Sequence, residues 1–417
     1  MTLRCAYLVS RYPAITHTFI LSEIRALRAE GAEIHTVSIR RAPCTEVLAP
    51  EDEREHAHTH ALLPTKVTTL LRAHGRALAR APFAYLKTLA GSLRLSPGGA
   101  RAGLWRLFYF GESILLWDWL ERKRLRHVHV HFANVASDVA LLATRFGNAT
   151  GDPERWSWSL TLHGPLELLD MHTHRLAAKV RSADLVVCTS DFVRSQLMGL
   201  VEQECWPRLK TARSGIDTTQ YRPPDTARDF SRNGRPITIL NVAGMSRRKG
   251  HELLLDALAD LRARGIPFRA VLVGDGEERP RLEAHVEALG LSAADVHFSG
   301  AIGQDSMPGE YRKADVFTLP SYAEGVPTVL MEAMASGLPV VGTHVMGVPE
   351  LIEHERSGLL IPPARADALA DALARLAHDP DLRARLGQAA RERVEQHFEL
   401  RRAASGVGQA IEAAVAG

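Results

Sequence analysis

Short apolar runs separated by stretches of helical periodicity recur along the whole chain, and their order predicts an α/β architecture. Leu3–Val9 is a compact apolar run, Thr18–Glu30 keeps helical spacing up to Gly31, and Ile34–Ile39 is apolar again, so the chain opens strand, helix, strand. Strands joined through a helix run parallel. Trp156–Leu162 and Asp184–Ser190 continue the pattern, with a helix expected from Asp191. Asp217–Pro236 then breaks it: Pro223, Pro224, Gly234 and Pro236 stand among polar residues with no period. Beyond it the alternation restarts, with strands at Ile237–Val242, Phe268–Val273, Val296–Phe298 and Val316–Leu319. Helices at His251–Arg264 and Arg281–Leu289 are closed by Gly265 and Gly290. Further helices are read at Ala368–Ala377, with Asp367 as N-cap, at Leu382–Gln396 and at Leu400–Val415. Two doubly wound domains are predicted, 1–220 and 237–399, with a linker at 221–236.

Length agrees, since 417 residues exceed what one core usually fills. The 51 basic residues nearly balance 48 acidic ones, so charge gives no case for nucleic-acid binding. Cys5, Cys44, Cys188 and Cys205 form no C-x-x-C pair and read as reduced thiols, and no zinc site is suggested. The start of the chain reads as a strand rather than a secretory leader, and no run has the length of a spanning helix, so a cytoplasmic location is expected.

Between Lys66 and Arg126 twelve basic residues face only Glu112, Asp118 and Glu121, interleaved with leucines and with Trp105, Phe108, Tyr109, Phe110, Trp117 and Trp119. Such a helical region can lie on an anionic bilayer at the inner face of the cytoplasmic membrane; the competing reading makes the rings core and the arginines a solvated face. His127, His129 and His131 alternate with valines on one face of a strand. With no carboxylate or thiol beside them they are not expected to hold a metal. His131, at the strand end, is a candidate for lining a cleft, and His56, His58 and His60 are read as an exposed charged loop.

The most informative stretch is Ser321–Pro363. A strand ends at Pro320, Pro327 stands where a first helical residue belongs, and a helix over Thr328–Ala335 is stopped by Gly337. The free N–H groups of Gly325, Val326 and Thr328, with the helix dipole behind them, form an anion site suited to phosphate. A second turn, Gly244-Met245-Ser246-Arg247-Arg248-Lys249-Gly250, brings cations to another helix start, an arrangement suited to clamping a diphosphate.

Glu324 and Glu332, with seven residues between them in S-x-x-E-G-x-P-x-x-x-x-E-A-M-A-x-G-x-P-V-V, resemble the signature of retaining glycosyltransferases of family 4, which have the GT-B fold of two Rossmann-like domains facing across a cleft. The S-R-Y-P-A-I-T-H-T-F turn after the first strand is similar to the exopolysaccharide and colanic-acid branch. The resemblance implies a nucleotide-diphosphate sugar as donor, a glycan or lipid-linked acceptor, and no metal or other cofactor. It implies that Glu324 contacts the donor sugar, Glu332 the ribose, Lys249 the phosphates and His163 the sugar near the reacting carbon, and that Gly300 lies in the loop edging the base. Pro327 belongs to the same turn, either Arg247 or Arg248 replaces the family's usual arginine, and Tyr12, His17, Thr18 and His131 line the acceptor side. It also implies that the helix over 400–417 packs back on the N-terminal domain. Two other readings are a nucleotide-sugar epimerase of the same fold, which would epimerise donor without acceptor, and a silent sugar-binding scaffold, which would show neither transfer nor donor hydrolysis.

Overall fold

The computed structural model describes residues 3–14, 17–43, 50–94, 100–224 and 235–416. Cys44, the Ile15-Thr16 pair and residues 225–234 of the expected linker lie outside them. Two compact units divide the chain: one runs to Ala212 and takes up Ala404 onward, the other runs from Arg213 to Ala403.

The first unit consists, in order, of β1 (Arg4–Tyr12), α1 (Thr18–Ala29), β2 (Glu33–Arg41), α2 (Pro50–His58), β3 (His60–Leu63), α3 (Val67–Arg80), α4 (Pro82–Arg94), α5 (Ala100–Lys123), β4 (His127–His131), α6 (Val135–Ala149), β5 (Ser157–Leu162), α7 (Leu166–Leu169), α8 (Leu176–Ser182), β6 (Leu185–Cys188), α9 (Asp191–Met198) and β7 (Leu209–Thr211). Its seven strands are parallel in the order β3-β2-β1-β4-β5-β6-β7. β4, β5 and β6 are buried throughout, as parallel strands covered by helices on both faces must be. The segment holding His56, His58 and His60 is not a loop: the first two lie on α2, and His60 starts β3 with its ring stacked on Trp119 at 5.1 Å. The sequence PEDEREHAH has no apolar stripe from which α2 could be read.

The second unit continues with β8 (Ile237–Val242), α10 (His251–Ala263), β9 (Phe268–Val273), α11 (Arg279–Ala288), β10 (Val296–Gly300), α12 (Met307–Lys313), β11 (Val316–Leu319), α13 (Thr328–Ala335), β12 (Val340–Thr343), α14 (Val348–Leu351), β13 (Leu359–Ile361), α15 (Ala366–His378) and α16 (Pro380–His397), and α17 (Leu400–Ala416) closes the chain. Its strands are parallel in the order β10-β9-β8-β11-β12-β13. Asp367 is not the cap of α15, which begins after Arg365; the carboxylate lies in the first turn and pairs with that arginine. The boundary ahead of the expected linker follows from hydrogen bonds that tie Ile216 to Phe398 and Leu400.

Candidate functional site

In the second sheet the strand order runs outward in both directions from β8 and β11, and loops leaving the C-terminal ends of such a pair diverge around a crevice. Gly244–Gly250 leaves β8, and Ser321–Pro327 leaves β11. They meet closely at Gly250: its φ is +68°, and a Cβ there would lie 2.1 Å from the Pro320 carbonyl oxygen, so only glycine fits. The Tyr322 amide donates to the Arg248 carbonyl at 2.8 Å, and the Arg248 guanidinium donates to the Ala323 carbonyl at 2.7 Å.

This stitching brings together the two residues on which the sequence reading rests. Lys249 Nζ donates to Glu324 Oε1 at 2.6 Å, and Arg248 Nη1 lies 3.5 Å from Oε2. Glu324 is only 5% exposed, so it is a buried, paired carboxylate and not a solvated turn residue. Arg247 turns away, 82% exposed at its side chain and paired with Glu278 at 3.1 Å. Of the two arginines, only Arg248 stands beside Glu324.

α13 begins and ends where the Pro and Gly punctuation indicates, with Gly337 at φ +72°, but Pro327 is extended and caps the helix from outside its first turn. Among the described residues, the amides of Gly325, Val326 and Thr328 donate to no protein acceptor. A free row of donors at a helix start is what binds an anion. The Gly347 backbone backs this turn, since a Cβ there would lie 2.5 Å from the Gly325 carbonyl oxygen. Met346 next to it holds φ +43°, a left-handed conformation unusual for a side chain of its size.

Glu332, in the second turn of α13, is buried and accepts from the Tyr311 hydroxyl at 2.6 Å. Burial pushes its carboxyl up to about 7 against the opposing pull of the Tyr311 and Tyr221 hydroxyls. Sequence reasoning missed both tyrosines, because they come from separate loops and helices. Gly300 ends β10 at φ +71°, and its carbonyl accepts from the Gly274 amide at 2.9 Å. Arg213 pairs with Glu350 at 3.2 Å.

In the first unit the strand order reverses beside β1 and β4, and a histidine-rich cluster gathers there. The alternating histidines of β4 face the hydroxyl residues of β5: His127 bonds Ser157 and Ser159, and His129 bonds Ser159 and Thr161, all at 2.7–3.0 Å. Burial holds His127 at about 3 and His129 well below the ordinary imidazole range, so both are neutral. His131 is also buried, and its Nδ1 lies 3.0 Å from Nε2 of His163. Burial, then His131 and His17, hold His163 well below its usual range. A carboxylate does accompany this cluster, contrary to expectation: Glu23 of α1 lies 3.5 Å from His131 Nε2, and Glu23, His129 and His131 place ligand-type atoms within 4.8 Å of one another. Both His129 nitrogens, however, are held by hydroxyl groups.

Glu167 is the clearest omission from the sequence reading. Buried at the start of α7, it accepts from the amides of Ala133, His163 and Gly164 at 2.7–3.1 Å, tying the loops after β4 and β5 together; burial raises it to about 7. Its position four residues after His163 at a helix start was the available signal. Tyr12 is fully buried, its hydroxyl pushed well above its usual range by burial, so it does not sit on an open surface. Thr18 is the first residue of α1, and the cap position ahead of it belongs to His17, whose ring centroid lies 5.4 Å from that of Phe132.

Residues 224–393 match the family model described as glycosyl transferases group 1. This domain belongs to the group 1 glycosyltransferases. Along 95% of the chain and 96% of the relative, the protein is 27% identical to the putative colanic acid biosynthesis glycosyltransferase WcaL of Salmonella typhimurium. Sucrose-phosphate synthase of Thermosynechococcus elongatus superposes with TM-score 0.74 at 22% identity, covering 99% of both chains. HepE of Anabaena, solved in complex with UDP, superposes with TM-score 0.73 at 18% identity, covering 99% of this chain and 100% of its own. The chain thus has the GT-B fold, two Rossmann-like α/β domains.

Proposed function

We propose that the protein transfers a hexose from a nucleotide-diphosphate sugar to a glycan or lipid-linked acceptor during assembly of a cell-surface polysaccharide, at the cytoplasmic face of the membrane. The observation that carries the reading is the Lys249–Glu324 pair at the head of α13, where a buried carboxylate fixes an ammonium beside a row of free amides. The WcaL relative's name and the UDP complex of HepE support the acceptor class and the donor class.

Breaking a sugar–diphosphate bond puts positive character on the anomeric carbon and negative charge on the departing phosphate, so fixed donors that grip the phosphate lower the barrier. In this reading Lys249, Arg248 and the amides of Gly325 and Val326 hold the diphosphate, and these groups carry the neutralisation without a metal ion. Glu324 orients Lys249 and accepts from donor-sugar hydroxyls. Glu332, Val326, Pro327 and Thr328 shape the nucleoside side with Gly300, and His163 contacts the sugar, its ring fixed by His131. Arg247 is a minor contributor because it faces solvent. Transfer is retaining, by same-face displacement in which the leaving phosphate helps to deprotonate the acceptor.

The test is a panel of radiolabelled nucleotide hexoses incubated with the purified protein, with and without a lipid-extract acceptor. At least one donor should release nucleoside diphosphate, and release should fall about 100-fold or more in Glu324→Gln. Absence of both transfer and hydrolysis with every donor would overturn the reading.

A further inference from the structure

We propose that α3, α4 and the first half of α5 form a docking face for an anionic lipid bilayer. α4 is amphipathic the wrong way round for a soluble helix: it buries Ala84, Thr88 and Ser92 and exposes Phe83, Leu86 and Leu93. At about 100° per residue, these three apolar residues and Ala90 fall within about 80° of arc, on the side opposite the buried face. Phe83 is 87% exposed, so nearly all of its ring stands in water. Lys87 and Arg94, both exposed, fall at the edge of the same arc.

The neighbouring helices repeat the arrangement. On α3, Val67, Leu71 and Leu78 share one exposed stripe while Ala73 and Ala77 face inward, and on α5 Leu104, Trp105, Leu107 and Phe108 are exposed before the helix dives into the core at Phe110. The three helices are fixed to one another by the His74–Tyr85 bond at 2.8 Å and by Ser92 donating to the Arg106 carbonyl at 2.8 Å. The aromatic residues therefore divide: Phe110, Trp117 and Trp119 are core, whereas Trp105 and Phe108 lie on this face.

Charge selects the occupant. From His56 to Gly111 the chain has eight Lys and Arg and no Asp or Glu. Two of those cations are spent internally, Arg76 on Asp118 and Arg106 on Asp138. The rest surround exposed leucine, phenylalanine and tryptophan side chains. Apolar side chains that enter the acyl boundary, ringed by long cationic side chains that reach lipid phosphates, fit a membrane carrying negative headgroups. Among the described residues no helix is long and apolar enough to span a bilayer, so the contact is one of surface insertion.

Docking does not depend on glycosyl transfer, and its test involves no catalysis. The protein is sedimented with vesicles of phosphatidylcholine alone and with vesicles containing about 30% phosphatidylglycerol, at low and high salt. The wild type should bind the anionic vesicles and lose binding at high salt. Binding should fall about thirtyfold in Lys87→Glu/Arg94→Glu and comparably in Phe83→Ser/Leu86→Ser. Both pairs are exposed, so thermal midpoints should hold. Quenching of Trp105 by brominated lipid, lost in Trp105→Phe, should report insertion. No preference for anionic vesicles overturns the proposal, as does equal binding by the variants. A concentration-dependent dimer in light scattering, abolished by Phe83→Ser/Leu86→Ser without any vesicle binding, assigns the face to a second copy of the chain and also overturns it.

Discussion

Replacing Glu324 by Gln keeps the shape of the turn and removes only the charge, so it isolates the interaction on which the site is built. Lys249 Nζ lies 2.6 Å from Oε1, and Glu324 is nearly fully buried. Two unit charges at that separation attract by about 6 kcal/mol at an effective dielectric of 20. Removing a carboxylate from water takes back most of this, and charged hydrogen bonds are worth about 1.5–3 kcal/mol net. Glu324→Gln should therefore destabilise by roughly that amount, lowering the thermal midpoint by about 3–12 °C for a domain of this size. Lys249→Met should cost about as much, because it leaves a buried carboxylate without its cation. Turnover in Glu324→Gln should fall much further than stability, by about 100-fold or more, since the ammonium loses its fixed position. Melting the two single variants and the double variant gives the coupling, expected at about 1.5–3 kcal/mol. Additivity within about 0.5 kcal/mol would show that the pair is not coupled and would refute the reasoning.

Three further outcomes follow from the same geometry. Arg248→Ala should weaken nucleotide-sugar use by about 10-fold or more, while Arg247→Ala, whose side chain is tethered to Glu278 in solvent, should change it little; steady-state kinetics with the active donor decide between them. Glu332 has a carboxyl raised to about 7 by burial, so its ionisation penalises the folded state: that penalty is absent below the unfolded carboxyl range near pH 4.5, grows as pH rises toward 7, and should disappear in Glu332→Gln, whose urea melts between pH 5 and 8 should show a shallower decline than wild type. Gly347→Ala should displace the Gly325 carbonyl, 2.5 Å from the new Cβ, and reduce kcat/KM about 10-fold or more while leaving the first unit's stability unchanged, as read by kinetics and hydrogen exchange.

What could be read from the sequence follows from which interactions are local. The start of α13 and its end were legible because Pro327 and Gly337 impose backbone geometry on their own residues. That the turns after β8 and β11 each suit a phosphate was legible from their glycines, their charges and the helix starts behind them, whereas their serving one ligand was implied only by the family resemblance. The hydrogen bonds that hold these parts were not legible. Glu167 serves three amides from two loops, Tyr311 reaches Glu332 from another helix, and Glu23 approaches His131 from α1. Such pairings join residues far apart in the chain and leave no period or spacing behind. The hydroxyl ladder of β4 and β5 is intermediate: alternation put His127, His129 and His131 on one face, but only the strand register, His127 opposite Ser157 and His129 opposite Ser159, identified what satisfies them. Helix α2 was missed for the opposite reason, since its charged residues give no periodic apolar signal.

Whether the turns after β8 and β11 grip the diphosphate of a nucleotide is decided by calorimetric titration of the protein with UDP, GDP and ADP, beside Lys249→Met. At least one of them should bind with micromolar affinity, and the Lys249 variant should bind it at least about tenfold more weakly. Binding of none of the three, or equal binding by the variant, would contradict it.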